Sequence, residues 1–97
     1  MDFSGKVCLV TGAGSGIGRA TAMGFAQRGG KVVVADVNGD NAASVVAEIA
    51  AAGGSALAVT ADMTDARQID AMLDRAVETY GRLDGLHNNA FGVPPTL

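Results

Sequence analysis

The sequence predicts an α/β protein in which parallel strands alternate with helices, and two observations support this prediction. Short apolar runs that end at glycine or acidic residues alternate with longer segments whose apolar residues recur at helical spacing. The first three runs are continuously apolar, which is typical of strands in a sheet covered on both faces. The predicted strands occupy residues 7–10, 32–35, 56–59 and 83–88, and the predicted helices occupy residues 17–28, 40–52 and 69–80.

Each predicted helix has a periodic apolar face and a glycine stop. The second helix is alanine-rich, and the third has the clearest pattern, with apolar residues at i, i+3, i+4, i+7, i+8 and i+11. Thr64 or Asp65 can cap the start of the third helix, and Gly81 ends it. Because Tyr80 belongs to that apolar face, we expect its ring to be buried. The first helix is predicted to bury a face formed by Ile17, Ala20, Thr21, Gly24 and Phe25.

Composition restricts the class of protein. The 97 residues allow one small domain, and 7 basic against 10 acidic residues give a net charge of −3. The basic residues are spread singly, which argues against a nucleic-acid-binding face. One cysteine, Cys8, excludes an internal disulfide and a Cys-rich metal site, and its apolar neighbours predict a buried, inert thiol. The apolar run before Thr11 is too short for a signal sequence or a membrane span, so we expect a cytoplasmic protein.

A glycine-rich segment, TGAGSGIG at residues 11–18, lies between the first strand and the first helix. A loop in this position can bring backbone N–H groups and the helix N-terminus close to a phosphate. The phosphate loop of NTPases is excluded because Gly18 is followed by Arg19 and Ala20 instead of Lys and Ser or Thr. The spacing G-x-G-x-x-G also fails, since Ile17 and Arg19 stand where its last glycine would be. The spacing that fits is T-G-x-x-x-G-x-G.

This motif occurs together with Asp36 after the second strand, Asp62 after the third, and Asn-Asn-Ala at residues 88–90 after the fourth. With these features in register, the whole chain resembles the short-chain dehydrogenase/reductase family. The resemblance implies a Rossmann-type parallel sheet in the order 3-2-1-4 with flanking helices. It also implies NAD-dependent hydride transfer between nicotinamide and a small-molecule alcohol or ketone. The family usually continues Asn-Asn-Ala with Gly, whereas this chain has Phe91.

Asp36 makes NAD the expected cofactor rather than NADP. It stands 18 residues after Gly18, where a carboxylate can accept hydrogen bonds from the adenosine ribose hydroxyls and would repel a 2′-phosphate. Ser15 and Val37 occupy the positions where related NADP enzymes tend to carry Arg or Lys.

The resemblance assigns roles to further residues. It implies that Asp62 hydrogen-bonds the adenine amino group with Met63 along the ring, although Asp62 could equally cap the turn before the third helix. Ser15 and Ile17 would contact the pyrophosphate. The cofactor site predicted in this way comprises Gly12, Ser15, Gly16, Ile17, Gly18, Asp36, Asp62, Met63, Asn89 and Ala90.

Three polar residues near these motifs are expected to act structurally. Asn88 should tie neighbouring strands together, because a buried amide must be hydrogen-bonded. His87 lies in an apolar strand, so packing is favoured over catalysis. For Arg19, a place on the solvated helix surface is favoured over an approach to the phosphates.

The catalytic pair of the family, a Tyr with a Lys four residues later, has no counterpart in this sequence. Tyr80 is followed four residues later by Asp84, and both lysines, Lys6 and Lys31, lie upstream. We therefore assign no catalytic or metal-binding residue. We expect residues 1–97 to be the N-terminal part of a single NAD(P)-binding Rossmann domain, truncated and inactive alone, from an enzyme that is a homo-oligomer when complete and has no membrane partner.

Two alternatives remain at this point. The chain could be a non-catalytic nucleotide-binding fragment or sensor that has the cofactor pocket without the catalytic half. It could also be a methyltransferase that binds S-adenosylmethionine, because residues 14–18 match G-x-G-x-G. The strand before the glycines lacks the acid usual in such loops, and Asn-Asn-Ala would have no role, so we place this alternative last.

Overall fold

In a computed structural model of the protein, residues 2–89 are described, and within them four strands alternate with three helices. All strand pairs are parallel, as the sequence predicts, and the strand order β3-β2-β1-β4 is the one that the family resemblance implies. The strands are β1 (Val7–Thr11), β2 (Lys31–Asp36), β3 (Ser55–Thr60) and β4 (Gly85–Asn88). The helices are α1 (Gly16–Gln27), α2 (Gly39–Ala51) and α3 (Ala66–Tyr80).

The two faces of the sheet bury separate apolar cores, as the continuously apolar strands predict. On β2, Val32 and Val34 belong to the core beneath α1 and α2, whereas Val33 and Ala35 belong to the core beneath α3. The chain moves outward from β1 to β3 and then returns to the other side of β1 to form β4. Because parallel crossovers are right-handed, this reversal puts α3 on the opposite face from α1 and α2.

The predicted buried face of α1 is correct at Phe25, which packs against the core beneath α1 and α2, but wrong at the start of the helix. The structure buries Gly18 and Ala22, whereas Ile17 is 69% exposed and Ala20 is also exposed. The cause is a close backbone approach: a Cβ atom on Gly18 would lie 2.2 Å from the carbonyl oxygen of Gly12. The helix therefore contacts the sheet through a residue that has no side chain, and hydrophobic periodicity cannot reveal such a contact.

The residues that cap α3 are as predicted, although the helix begins at Ala66, before the first residue of its apolar pattern, and its apolar face is only partly buried. The Asp65 side chain caps the start by accepting a hydrogen bond from the Arg67 amide, and Gly81 ends the helix in the left-handed conformation. The expectation that Tyr80 is buried is wrong. Its ring is half-buried, its hydroxyl lies 3.0 Å from Ser55 Oγ, and the Lys31 ammonium lies 5.6 Å from the ring centroid. At the rim of the core, the tyrosine can keep its ring partly buried while its hydroxyl has a hydrogen-bond partner and its ring has a cation beside it.

Strand β4 starts at Gly85, two residues later than predicted, and the preceding Asp84 bonds to Val7 of β1 through both its backbone amide and its side chain. The Asp84 carboxylate accepts hydrogen bonds from the Val7 amide at 2.8 Å and from the Arg82 guanidinium at 2.6 and 2.9 Å. Bonds from the Arg82 side chain and the Val7 amide hold the pKa of this carboxyl below its usual range. Leu86 of β4 is 58% exposed, so α3 leaves this end of the sheet uncovered within residues 2–89.

We expect Gly18→Ala to lower the free energy of unfolding by about 1–3 kcal/mol, because the new methyl group would overlap a backbone oxygen. Gly24→Ala in the same helix is the matched control. Its Cβ would have only the end of Arg28 near it, at 3.7 Å. The control should raise stability by about 0.5–1 kcal/mol through helix propensity. Urea unfolding of both variants measures the difference, and equal effects would contradict the close approach.

The depressed pKa of Asp84 predicts a pH-dependent contribution to stability. A carboxyl whose pKa is lower in the folded state stabilises the fold above its unfolded pKa and loses this contribution as the pH falls through its folded pKa. The stability advantage of the wild type over Asp84→Asn should therefore be largest above about pH 4 and decline below it. In Arg82→Gln, the decline should be smaller and should be complete at a higher pH, because the strongest cause of the pKa shift is gone and the folded pKa lies closer to the unfolded one. Unfolding curves across this pH range test both expectations, and a pH-independent advantage would contradict them.

Candidate functional site

A cleft of about 470 Å³ opens at the carboxyl edge of the sheet. It lies where the strand order reverses between β1 and β4, which is where open α/β sheets bind ligands. Eight of the ten residues in the predicted site line this cleft, namely Gly12, Ser15, Gly16, Ile17, Asp36, Asp62, Met63 and Asn89. Gly18 does not line it but packs on Gly12, and Ala90 lies outside the described residues. Four further lining residues were not in the predicted site, namely Ala35, Val37, Ala61 and Thr64.

These four residues flank the carboxyl ends of β2 and β3, so the position of the strand ends was the signal that could have identified them. In a parallel sheet, the residues that follow neighbouring strands meet at one edge.

The N-terminus of α1 faces the cleft, and few groups of the helix itself neutralise the positive end of its dipole. Ser15 is the N-cap in an extended conformation and makes no capping hydrogen bond with its side chain, and the first turn contains no acidic residue. The first-turn N–H groups of a helix have no partner within the helix and carry its positive dipole end. Gly16 reaches this geometry with φ of +59°, a conformation that L side chains rarely adopt. The loop therefore offers backbone donors for an anion.

Asp36 stands opposite this loop, half-buried at the end of β2. Its Oδ2 accepts a hydrogen bond from the Gly14 amide at 2.8 Å, and its Oδ1 accepts one from the Asn38 amide at 2.9 Å. Two carboxylate oxygens provide about four acceptor positions, so the side chain can accept further hydrogen bonds from a ligand.

Asp62 caps its own turn, which is the structural interpretation that the sequence left open. Its Oδ1 accepts from the Thr64 amide at 2.9 Å and from the Thr64 hydroxyl at 2.7 Å. The Thr64 hydroxyl and amide lower the pKa of the carboxyl below its usual range. The same residue also lines the cleft beside Met63. The turn cap and a ligand contact are therefore compatible.

Thr11 connects β1 to the residues that end β4. Its hydroxyl donates to Asn88 Oδ1 at 2.9 Å and accepts from the Asn89 amide at 2.9 Å. The prediction that Asn88 ties neighbouring strands together is confirmed, although Asn88 is exposed and not buried as expected. The amide nitrogen of the Asn89 side chain also approaches α1, since it lies 2.8 Å from the place a Cβ on Gly18 would occupy.

The remaining polar candidates lie away from the cleft lining. Arg19 forms an ion pair with Glu48 on the surface between α1 and α2, as favoured from the sequence. His87 is half-buried beside Val10 in the β1–β4 register, and its Nε2 is buried without a hydrogen-bond partner within residues 2–89. Cys8 is half-buried rather than buried, and burial raises the pKa of its thiol.

The part of the chain that the structure describes contains neither a cluster of metal ligands nor a membrane-spanning helix. No group of three potential metal ligands occurs there. No helix among those residues is long and apolar enough to cross a membrane.

The strand order and the glycine-rich first crossover define a Rossmann-type protein. A family model for short chain dehydrogenases matches residues 6–96, so the chain belongs to that family. It is 48% identical over 93 residues to a 2,5-dichloro-2,5-cyclohexadiene-1,4-diol dehydrogenase of Sphingobium indicum. It is 45% identical over 95 residues to the 7α-hydroxysteroid dehydrogenase of Escherichia coli K12. These alignments cover 96% and 98% of the chain and 37% of each relative.

Solved structures agree with this family assignment. The chain aligns with a 7α-hydroxysteroid dehydrogenase complexed with NADH and 7-oxo glycochenodeoxycholic acid at a TM-score of 0.92 and 44% identity, over 94% of this chain and 36% of that one. It aligns with a short chain dehydrogenase/reductase from Burkholderia phymatum in complex with NAD at a TM-score of 0.85 and 41% identity, over 89% and 31% of the two chains. The family match leaves the methyltransferase alternative without support.

We expect Thr11→Val to lower the free energy of unfolding by about 1–3 kcal/mol, because it leaves the Asn88 oxygen and the Asn89 amide without this partner. Thr11→Ser is the matched control. It keeps the hydroxyl and loses only a buried methyl group, at a cost of about 0.8 kcal/mol. Chemical unfolding measures both variants. A valine variant as stable as the wild type would mean that the two hydrogen bonds contribute nothing.

Proposed function

We propose that residues 1–97 are the cofactor-binding part of an NAD-dependent oxidoreductase that acts on a small-molecule alcohol or ketone. The observation that carries the proposal is the cleft at the strand reversal, with the donor-rich N-terminus of α1 on one side and the Asp36 carboxylate on the other. The names of the relatives support it, because those compared above are dehydrogenases of hydroxyl compounds. The chain spans about 37% of their length, so the activity of the whole protein is part of the proposal.

The proposed binding mode uses the two sides of the cleft for different parts of the dinucleotide. Ser15, Gly16 and Ile17 would hold the pyrophosphate through the start of α1. Asp36 would accept hydrogen bonds from the adenosine ribose hydroxyls. The remaining residues would hold the rest of the cofactor, with Asp62 and Met63 at the adenine and Asn89 and Ala90 on the ribose side. When bound, the nicotinamide supplies hydride transfer, and this part of the chain supplies binding and orientation.

NAD is proposed over NADP because of the charges around the cleft. The Asp36 carboxylate would repel a 2′-phosphate, and the neighbouring lining residues Ser15 and Val37 carry no positive charge. Arg19 is paired with Glu48, so its charge is already compensated on the outer surface of α1 and α2.

We propose that the residues that perform acid–base chemistry lie outside this sequence and that residues 1–97 are inactive alone. The hydroxyl of Tyr80 contacts Ser55 at the start of β3, the opposite edge of the sheet from the cleft. Tyr80 is therefore not a candidate for the catalytic acid or base. The complete protein is proposed to be a cytoplasmic homo-oligomer. Light scattering of the purified natural polypeptide tests the oligomeric state, and cell fractionation tests the location.

The intact mass of the natural polypeptide tests whether the chain continues. A mass well above 9.7 kDa, with Tyr-x-x-x-Lys beyond Leu97 and NAD-dependent oxidation of secondary alcohols, would support the oxidoreductase. A mass of 9.7 kDa would contradict it and would favour the second candidate, a non-catalytic nucleotide-binding module. The observation that favours the second candidate is the lack of a Tyr-x-x-x-Lys pair in these 97 residues.

We expect Asp36→Ala to weaken NAD binding about 10-fold or more, because hydrogen bonds to a charged group contribute about 1.5–3 kcal/mol. The preference for NAD over NADP should narrow, because the repulsion of a 2′-phosphate is removed. Asp40→Ala is the control, since Asp40 is an exposed acid in the first turn of α2 that does not line the cleft. Calorimetric titration with both cofactors measures the ratio. An unchanged ratio of NAD to NADP affinity in Asp36→Ala would mean that Asp36 does not bind the ribose.

A further inference from the structure

Asp36 is bonded to three separate segments at the carboxyl edge of the sheet. Its side chain accepts hydrogen bonds from the backbone amides of Gly14 in the glycine-rich loop, at 2.8 Å, and of Asn38 before α2, at 2.9 Å. Its backbone oxygen accepts the amide of Ala61, after β3, at 3.1 Å. Within residues 2–89, the side chain of Asp62, the other acid in the cleft, bonds only to Thr64 in its own turn. Asp36 therefore joins elements that Asp62 does not.

The glycine-rich loop is packed tightly against this carboxylate. A Cβ on Gly14 would lie 2.8 Å from Asp36 Oδ2 and 2.6 Å from the Cβ of Asn41. A glycine here lets the loop amide reach the carboxylate, and it leaves room for Asn41 in the first turn of α2 to pack against the loop. The preceding amide, that of Ala13, donates to the backbone oxygen of Ala35 at 3.1 Å. Two successive loop amides are thus held by the end of β2.

We propose that Asp36 is a positioning residue for the glycine-rich loop as well as a ribose ligand. Through the Gly14 amide, it holds the loop that presents Gly16 and the start of α1 to the pyrophosphate. One carboxylate can do both, because each oxygen keeps an acceptor position after its bond to the protein. The cofactor part of this inference rests on the proposed function, whereas the loop contact does not.

A consequence distinguishes this double role from ribose binding alone. If Asp36 acts only on the ribose hydroxyls, replacing it cannot affect a cofactor that lacks those hydroxyls. If Asp36 also holds the loop, its removal weakens binding of such a cofactor through the pyrophosphate. Binding would then be weaker, because the amides of the loop must first be ordered and the free energy cost of this ordering reduces the net free energy of binding.

The first experiment measures amide hydrogen exchange by NMR in the natural polypeptide without any ligand. We expect Asp36→Ala to speed exchange of the Gly14 amide about 10-fold or more, in line with a hydrogen bond to a charged acceptor. Asp40→Ala should change it less than about twofold, since Asp40 makes no contact with the loop in the described residues. Exchange of the buried Val33 amide of β2 reports whether a variant alters global stability. An unchanged Gly14 rate in Asp36→Ala would overturn the proposal.

The second experiment compares the affinity of NAD with that of an analogue in which the adenosine ribose is 2′,3′-dideoxy. We expect Asp36→Ala to weaken the analogue about 5-fold and to weaken NAD more. Gly14→Ala keeps the Asp36 carboxylate in the chain but crowds both it and the loop, because the new Cβ would lie 2.8 Å from Asp36 Oδ2, and Gly14 does not line the cleft. It should weaken the analogue as well as NAD.

The outcomes separate the two proposals. Analogue affinity that Asp36→Ala leaves unchanged would overturn the positioning role and leave the ribose role intact. Failure of the wild type to bind NAD would overturn the proposed function, and the exchange rate of Gly14 would then decide the loop contact by itself. If Asp36→Ala does not fold, both measurements are made on Gly14→Ala. Faster exchange of the residue 14 amide together with weaker binding of the analogue supports the positioning role. The absence of either change overturns it.

Discussion

The contact between Gly18 and the carbonyl oxygen of Gly12 is the constraint on which the rest of the site depends. Because a Cβ atom at position 18 would lie 2.2 Å from that oxygen, α1 can dock on the end of β1 only through a residue without a side chain. This docking determines which face of α1 is buried and brings its N-terminus to the edge where the sheet opens. The anion-binding capacity of the loop follows from this backbone geometry and needs no basic side chain.

The carboxyl edge of the sheet is held together mainly by hydrogen bonds between the chain segments that leave it. Thr11 joins β1 to the end of β4, and Asp36 joins the glycine-rich loop to the segments after β2 and β3. These bonds connect residues distant in sequence, such as Thr11 and Asn88, which are 77 positions apart. A cleft with walls connected in this way is ordered before a ligand arrives, and preorganisation lowers the free energy cost of binding.

The charges around the cleft favour one kind of ligand orientation. The positive dipole end of α1 lies at the glycine-rich loop, and the carboxylates of Asp36 and Asp62 lie at the ends of β2 and β3. Arg19 is close in sequence to the loop but is paired with Glu48 outside it. A ligand with an anionic centre and hydroxyl or amino donors on one side complements this arrangement. A ligand with a further phosphate near Asp36 does not.

The sequence by itself determined the strands, their parallel direction and the position of the glycine-rich loop, because continuous apolar runs and glycine spacing are local signals. The order of the strands was expected from the family resemblance. The sequence also located the strand ends that line the cleft. Only the tertiary structure decided the rotation of α1, the late start of β4 at Gly85, the half-buried position of Tyr80, and the bond from Gly14 to Asp36. Each of these depends on a backbone approach or a hydrogen bond between distant segments. Such contacts leave no periodicity in the sequence, since glycines and backbone amides make them without an apolar side chain.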